Sequence, residues 1–234
     1  MRFRQSLLTR LRQLQRSSGW PSGDALEVEL LAAGLVRAER DSLGRESLRL
    51  TDEGLAVLAA SLQANRARRD AHETLVEQVA LWMHREGRLV WRAPPLRASV
   101  VQEGGASAWA LGLPDVFSIR PSSREDALEP VVHEVKVSRA DLLGELRRPD
   151  KRAAYLAVSQ QMYYVLGQDA RGRPIAAPEE IPPECGVVQA TPGGLEMLRV
   201  APRRPLVRLG FEVWLALAKA DRFRSDEEPP QLSL

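Results

Sequence analysis

The chain has one cysteine, three lysines, three histidines and few aromatic residues, and it contains no long apolar run. Each shortage excludes something. With Cys185 alone there is no internal disulfide and no cysteine-based zinc cluster. No segment approaches the roughly 18 to 20 apolar residues that span a bilayer, so a soluble chain without a membrane partner is expected. The first sixteen residues hold five arginines and no acid, but they lack the apolar stretch and small-residue cleavage site of a secretory signal, which leaves the cytoplasm as the default location. His72, His84 and His133 show no repeated metal-ligand spacing, and His133 should point away from Glu134, so core or surface roles are expected for them. There is no glycine-rich phosphate loop, since Gly104-Gly105 and Gly193-Gly194 read as turns, and no Ser-His-Asp arrangement suggests itself.

The scarcity of lysine carries chemistry of its own. Of 33 basic residues only Lys136, Lys151 and Lys219 are lysine. A chain so biased toward arginine keeps lysine where a compact ammonium with an adjustable pKa is wanted. Two of the three fall within the motif described below.

What is present is an ordinary globular composition, 44% hydrophobic and 27% charged over 234 residues, enough for one large domain or two small ones. The net charge of +2 decides little, because recognition of nucleic acid depends on where charge is placed. The first acid is Asp24, and Arg66, Arg68 and Arg69 form a second basic cluster; these are either a nucleic-acid footprint or solvated helix faces.

Leu7, Leu8, Leu11 and Leu14 recur at helical spacing over residues 4–16. After the break at Trp20-Pro21-Ser22-Gly23, Asp24 is placed to cap a second helix that stops at Gly34. Residues 35–50 form two extended runs around Asp41-Ser42-Leu43-Gly44, a hairpin pattern, and Thr51 can cap a third helix in which Gly54 is a weak point. That helix either runs on past Ala60–Asp70 or breaks briefly before a helix over 71–86. The run Leu31-Ala32-Ala33-Gly34-Leu35-Val36, the hairpin and Leu50-Thr51-Asp52-Glu53-Gly54 resemble the winged-helix domains of bacterial regulators. The resemblance covers about residues 1–65. It implies a DNA-binding module whose helix before Gly34 approaches the major groove while Arg37, Arg40 and Arg45 on the wing reach phosphates. The usual three helices before the wing are compressed into two, so either the first is kinked or the recognition helix serves only packing or dimerisation.

Beyond residue 66 helices alternate with strands: helix 71–86, strands at 88–92, 115–120 and 131–137, helices between Arg139 and Ser159, and a strand at 162–166. The order is that of an α/β fold, or α+β with a mixed sheet, extending to about residue 225. Residues 168–207 hold seven prolines and read as loops around short strands without an assignable function. The apolar helix at 209–218 is core or the face of a homodimer, and the tail 226–234 is expected to be disordered.

Asp115 opens one strand, and Glu134-Val135-Lys136 follows nineteen positions later in the next. Alternation along a strand puts Glu134 and Lys136 on one face about 6 to 7 Å apart. If the two strands pair, Asp115 joins them. Carboxylates held that closely call for a cation, and hard oxygen ligands with open water positions suit Mg²⁺ or Mn²⁺. Such an ion polarises a phosphodiester, while Lys136 orients water or meets developing charge. A surface Glu-x-Lys pair on a strand would look the same in sequence.

The context is more specific. Glu134 to Leu142, then Asp150-Lys151, Tyr155 and Met162-Tyr163-Tyr164-Val165, resemble the MmcB-type DNA-repair endonucleases of the PD-(D/E)xK nuclease superfamily. The resemblance covers roughly residues 71–167 and is tight over 131–166. It implies a restriction-endonuclease-like mixed sheet flanked by helices and a metal-dependent DNA endonuclease. In it Asp115 and Glu134 bind the metal, Lys136 is catalytic, and Ser138, Arg139, Asp141, Lys151 and Tyr155 lie near the DNA. A carboxylate from the preceding helix often completes the metal set, for which Glu73 and Glu77 are the candidates, Glu77 at the more typical distance. Lys151 and Tyr155 lie four apart on one helix face and so could both meet phosphate; the alternative is a core tyrosine beside a solvated lysine. A DNA-binding regulator that keeps the nuclease fold without cutting is the competing function.

Overall fold

The computed structural model describes residues 3–101, 107–205 and 208–225; Gly104-Gly105 and the tail 226–234 lie outside the described residues. The chain forms two compact units, Met1–Arg69 and Asp70–Leu234. The helix α3 (Asp52–Arg85) begins in the first and ends in the second. No proline or glycine occurs between Leu55 and Arg85, so nothing interrupts the helix where a brief break was the alternative.

In the first unit, α1 (Gln5–Arg16) buries Leu7, Leu11 and Leu14, the stripe expected from their spacing. Asp24 caps α2 (Ala25–Ala32) by accepting from the Glu27 N–H, and Gly34 ends it at a φ of +68°. Strands β1 (Val36–Arg40) and β2 (Glu46–Leu50) pair antiparallel, and Asp41 Oδ1 closes their turn by accepting from the Leu43 and Arg45 N–H groups. Leu11, Leu14, Leu30, Leu35 and Leu48 form the core. Buried Glu27 accepts from Arg10 and from the N–H groups of Ser22 and Gly23; burial alone would raise its carboxyl, but these donors hold it at about 2.

The second unit continues with β3 (Leu89–Arg92), β4 (Leu96–Val101), β5 (Ser107–Gly112), β6 (Val116–Ile119) and β7 (Val131–Lys136). Then come α4 (Arg139–Leu146), α5 (Pro149–Ala157), β8 (Gln161–Leu166), β9 (Gly186–Thr191), β10 (Gly194–Arg199) and α6 (Phe211–Lys219). Six strands make a mixed sheet in the order β10-β9-β8-β7-β6-β3, with β7, β8 and β9 parallel and the other pairs antiparallel. Both faces are covered, as a sheet with parallel central strands requires. On one face Leu75, Val76, Val79 and Met83 of α3 pack against Val116, Val131, Val135 and Val165. On the other, Leu142, Tyr155, Val213 and Leu217 from α4, α5 and α6 pack against Phe117, Val132 and Tyr164, together with Leu96 and Ala98 of a separate β4–β5 hairpin. The fold is thus the expected mixed sheet flanked by helices. The β4–β5 hairpin was not expected, and β9 and β10 give definite strands to the proline-rich segment. Among the described residues no helix is long and apolar enough to cross a membrane.

Gly54 proves to be a contact rather than a weak point. A Cβ built there would lie 2.0 Å from the Leu35 carbonyl oxygen, so only glycine lets the start of α3 approach β1 this closely. Gly54→Ala should therefore destabilise the first unit by about 1 to 3 kcal/mol, in spite of alanine's helix propensity. Urea denaturation followed by circular dichroism checks this; equal or greater stability would contradict the packing.

Candidate active site

Pairing of β6 with β7 sets Phe117 opposite Val132 and ends at Val116 opposite His133, which leaves Asp115, the residue just before β6, beside the Glu134–Val135 end of β7. Asp115 Oδ2 also accepts from the Val135 N–H at 2.7 Å, which ties the acid to the neighbouring strand. Two residues on, Lys136 Nζ lies 2.7 Å from Glu134 Oε1. Asp115, Glu134 and Lys136 are thereby brought together. His133 faces the other way, stacked on Tyr163 and edge-on to Trp82; burial, with a smaller contribution from Arg88, holds its imidazole neutral at about 3.

The crossover from β7 to β8 returns more charge to the same place. Ser138 caps α4, accepting from the Asp141 N–H, and Pro149 occupies the first turn of α5. One turn into α5, Lys151 Nζ lies 2.8 Å from Glu134 Oε1 and 3.0 Å from Glu145 Oε2. Lys136 Nζ is 3.8 Å from the same Glu145 oxygen and 3.9 Å from Asp141. Lys151 is therefore not a solvated lysine. Tyr155 is fully buried, as the core alternative held, with its hydroxyl donating to the Leu113 carbonyl at 2.8 Å and Lys151 Nζ 5.2 Å from its ring centre.

These groups are dry: Glu134 is 2% exposed and Lys136 5%. Burial and the adjacent Asp115 push the Glu134 carboxyl upward, against the pull of Lys136 and Lys151. Burial works against the Lys136 ammonium, but Glu134, Glu145 and Asp115 outweigh it and raise the pKa, so Lys136 is a cation. Glu134 Oε2 and Glu145 Oε1 are buried without a hydrogen-bond partner.

Asp115 opens on its other side into a cleft of about 480 Å³ that His72, Glu73, Arg92, Asp221 and Arg222 also line. His72 Nε2 stands 3.4 Å from Asp115 Oδ1, and this interaction, against the opposing effect of burial, raises the imidazole. Glu73 accepts from Arg92 at 2.8 Å. Glu77 is exposed and does not line the cleft, so of the two helix acids it is Glu73 that borders Asp115. His72 and Glu145 are the neighbours that sequence reasoning missed.

The remaining candidates lie elsewhere. Arg139 is committed to Glu180 through two nitrogens, at 3.0 and 2.7 Å, and to the Ile175 carbonyl. In the first unit Arg37, Arg40 and Arg45 are exposed on the hairpin, Arg37 paired with Glu39 and Arg45 with Asp41. The helix α2 carries two acids and no basic residue, and those acids pair with Arg4 and Arg10.

Among the described residues no group of three or more His, Cys, Asp or Glu side chains is disposed to hold a metal ion. The donor chemistry nonetheless fits one class of ion. Mg²⁺ is bound through one or two protein carboxylates, with waters and phosphate oxygens completing the shell. Asp115 and the unpartnered Glu134 Oε2 are such a pair.

No protein-family profile matches the chain, and no curated protein matches it. Among solved structures it is similar to SPO1766, a protein of unknown function from Silicibacter pomeroyi, at 21% identity over 62% of this chain and 80% of that one, with a TM-score of 0.40.

Lys136 and Lys151 share Glu134 Oε1, so removing Lys136 leaves the buried carboxylate with one cation instead of two. Lys136→Met should cost about 1.5 to 3 kcal/mol, the range for a hydrogen bond to a charged group, and adding Glu134→Gln should restore part of it. Chemical denaturation of the single and double variants measures the coupling; additive losses would show that the two groups do not depend on each other.

Proposed function

We propose that the chain is a metal-dependent DNA endonuclease that hydrolyses phosphodiester bonds between Asp115, Glu134 and Lys136. The observation that carries this reading is the Asp115 carboxylate bound to the Val135 N–H, beside Glu134 and its lysine partner. Asp115 and Glu134 Oε2 would hold Mg²⁺ or Mn²⁺. A bound ion of this kind supplies positive charge to the phosphoryl oxygens and lowers the pKa of a coordinated water. Lys136, whose carboxylate neighbours keep it protonated, serves as a fixed cation for charge developing on the phosphate, not as a base. Glu145 positions Lys136 and Lys151 from behind. His72, Arg92 and Arg222 stand at the cleft where a phosphate would meet Asp115.

DNA is the substrate this reading favours, bound in addition by the first unit acting as a winged-helix module. There Arg37, Arg40 and Arg45 meet phosphates. The acidic α2 is poorly suited to reading bases, so its part is packing. Repair, recombination or defence in the cytoplasm would use such an enzyme, and a homodimer would cover Phe211, Trp214 and Leu215, which α6 leaves exposed. A second reading, a regulator that binds DNA without cutting it, is favoured by one feature: both lysines already neutralise Glu134.

Cleavage of single-stranded, duplex and branched DNA with Mg²⁺ or Mn²⁺ separates the two. The native chain should cut at least one substrate, and Asp115→Asn, Glu134→Gln and Lys136→Met should each lose at least about 100-fold in rate while still binding DNA. Binding without cutting by the native chain would support the regulator instead.

A further inference from the structure

The β4–β5 hairpin turns its large side chains the wrong way for a structural element. Its inner face is built of Leu96, Ala98, Ala110 and Gly112, packed toward α5 and α6. At Gly112 a Cβ would come within 3.1 Å of the Tyr155 ring, so this face is held close to the core by the absence of a side chain. The outer face carries Trp109 and Leu111, 66% and 60% exposed, and Leu113, just past the strand, is 51% exposed. Strand alternation puts Trp109 and Leu111 side by side, and Leu113 continues the stripe toward the site. Across the pair, exposed Arg97 lies opposite Leu111 and exposed Ser99 opposite Trp109. No acidic residue occurs in β4 or β5.

We infer that this face is a stacking platform for unpaired nucleotides, so that the DNA drawn to the site is single-stranded or frayed; the inference rests on the nuclease reading and names its substrate class. Three observations support it. An exposed indole and an arginine on one acid-free face offer what single-stranded nucleic acid binds, a flat surface for bases and a cation for the backbone. The stripe also leads to the site: β5 ends at Gly112, and Leu113, whose carbonyl accepts from Tyr155, is followed by Pro114 and then Asp115. Asp115 is six steps along the chain from Trp109, a span of at most about 22 Å, so a strand stacked on the platform needs few nucleotides to reach the acids. In an intact duplex the base faces are covered by their neighbours, so only unpaired bases would use the stripe. The exposed apolar side chains of α6, Phe211, Trp214 and Leu215, stand beside an acid, Glu212.

The test withholds metal, so that hydrolysis plays no part. Affinities of the full chain for a fluorescent oligothymidine and for a blunt duplex hairpin are compared by anisotropy, for the native chain, Trp109→Ala and Trp109→Phe. The native chain should prefer the single strand, Trp109→Ala should lose about ten- to hundred-fold on it and nothing on the duplex, and Trp109→Phe should keep most of the affinity. Matching thermal melting curves for the variants would show that the loss is local. Equal losses on both DNAs, or no loss, would overturn the platform, as would a second copy of the chain covering Trp109, seen as a dimer in sedimentation that Trp109→Ala dissociates. The two readings fail separately. DNA cleavage that is indifferent to Trp109 removes the platform alone, and Trp109-dependent single-strand binding without cleavage under any metal removes the nuclease alone.

Discussion

A carboxylate carried into the dry interior of a sheet must be answered by positive charge, and the second unit is arranged around that requirement at Glu134. With 2% of its surface exposed, Glu134 would be prohibitively costly as an isolated anion. Lys136 answers from the same strand and Lys151 from the crossover helix, both on one oxygen, while the other oxygen is left without a partner. Asp115 and Glu145 then add negative charge to a place that already has it. Hydrophobic packing gains nothing from such a cluster, and replacing buried ion pairs with apolar residues is often neutral or stabilising. A concentration of charge this difficult to bury is what a reaction at phosphate would use.

The surrounding elements can be understood by what they hold in place. The β6–β7 pairing brings Asp115, just ahead of β6, beside Glu134 and Val135 of β7, while His72 of α3 meets it from the other side. Ser138 and Pro149 set the starts of α4 and α5, and so the return of Glu145 and Lys151. Tyr155 bridges this layer to the β4–β5 hairpin through the Leu113 carbonyl, two residues before Asp115. The acid is therefore fixed from both ends, by Val135 on one side and by the strand that delivers it on the other.

Much of this was legible because it rests on local chemistry. Strand alternation predicts that Glu134 and Lys136 share a face, and the near absence of lysine draws attention to Lys136 and Lys151. The caps at Asp24 and Thr51 follow from side-chain reach. What was missed depends on distant partners. His72 carries no signal of its own, because the acid it meets is 43 positions away and reached only through the fold. Glu145 did carry one, since it follows Asp141 at helical spacing on the helix after β7. The β4–β5 hairpin was hidden because, apart from Leu96, its buried side is small (Ala98, Ala110, Gly112) while Trp109 and Leu111 are exposed, which inverts the usual pattern. Gly54 showed its cost to a helix but not the carbonyl it must accommodate.

In the proposed enzyme Asp115 and Glu134 share a divalent cation. This sharing is tested most directly by titrating Mn²⁺ into the full chain with a nuclease-resistant phosphorothioate oligonucleotide present, and following bound metal by electron paramagnetic resonance. The native chain should bind Mn²⁺ saturably, and Asp115→Asn and Glu134→Gln should each weaken that binding by at least about tenfold. Binding of equal strength in the native chain and both variants, or no binding in any of them, would contradict it.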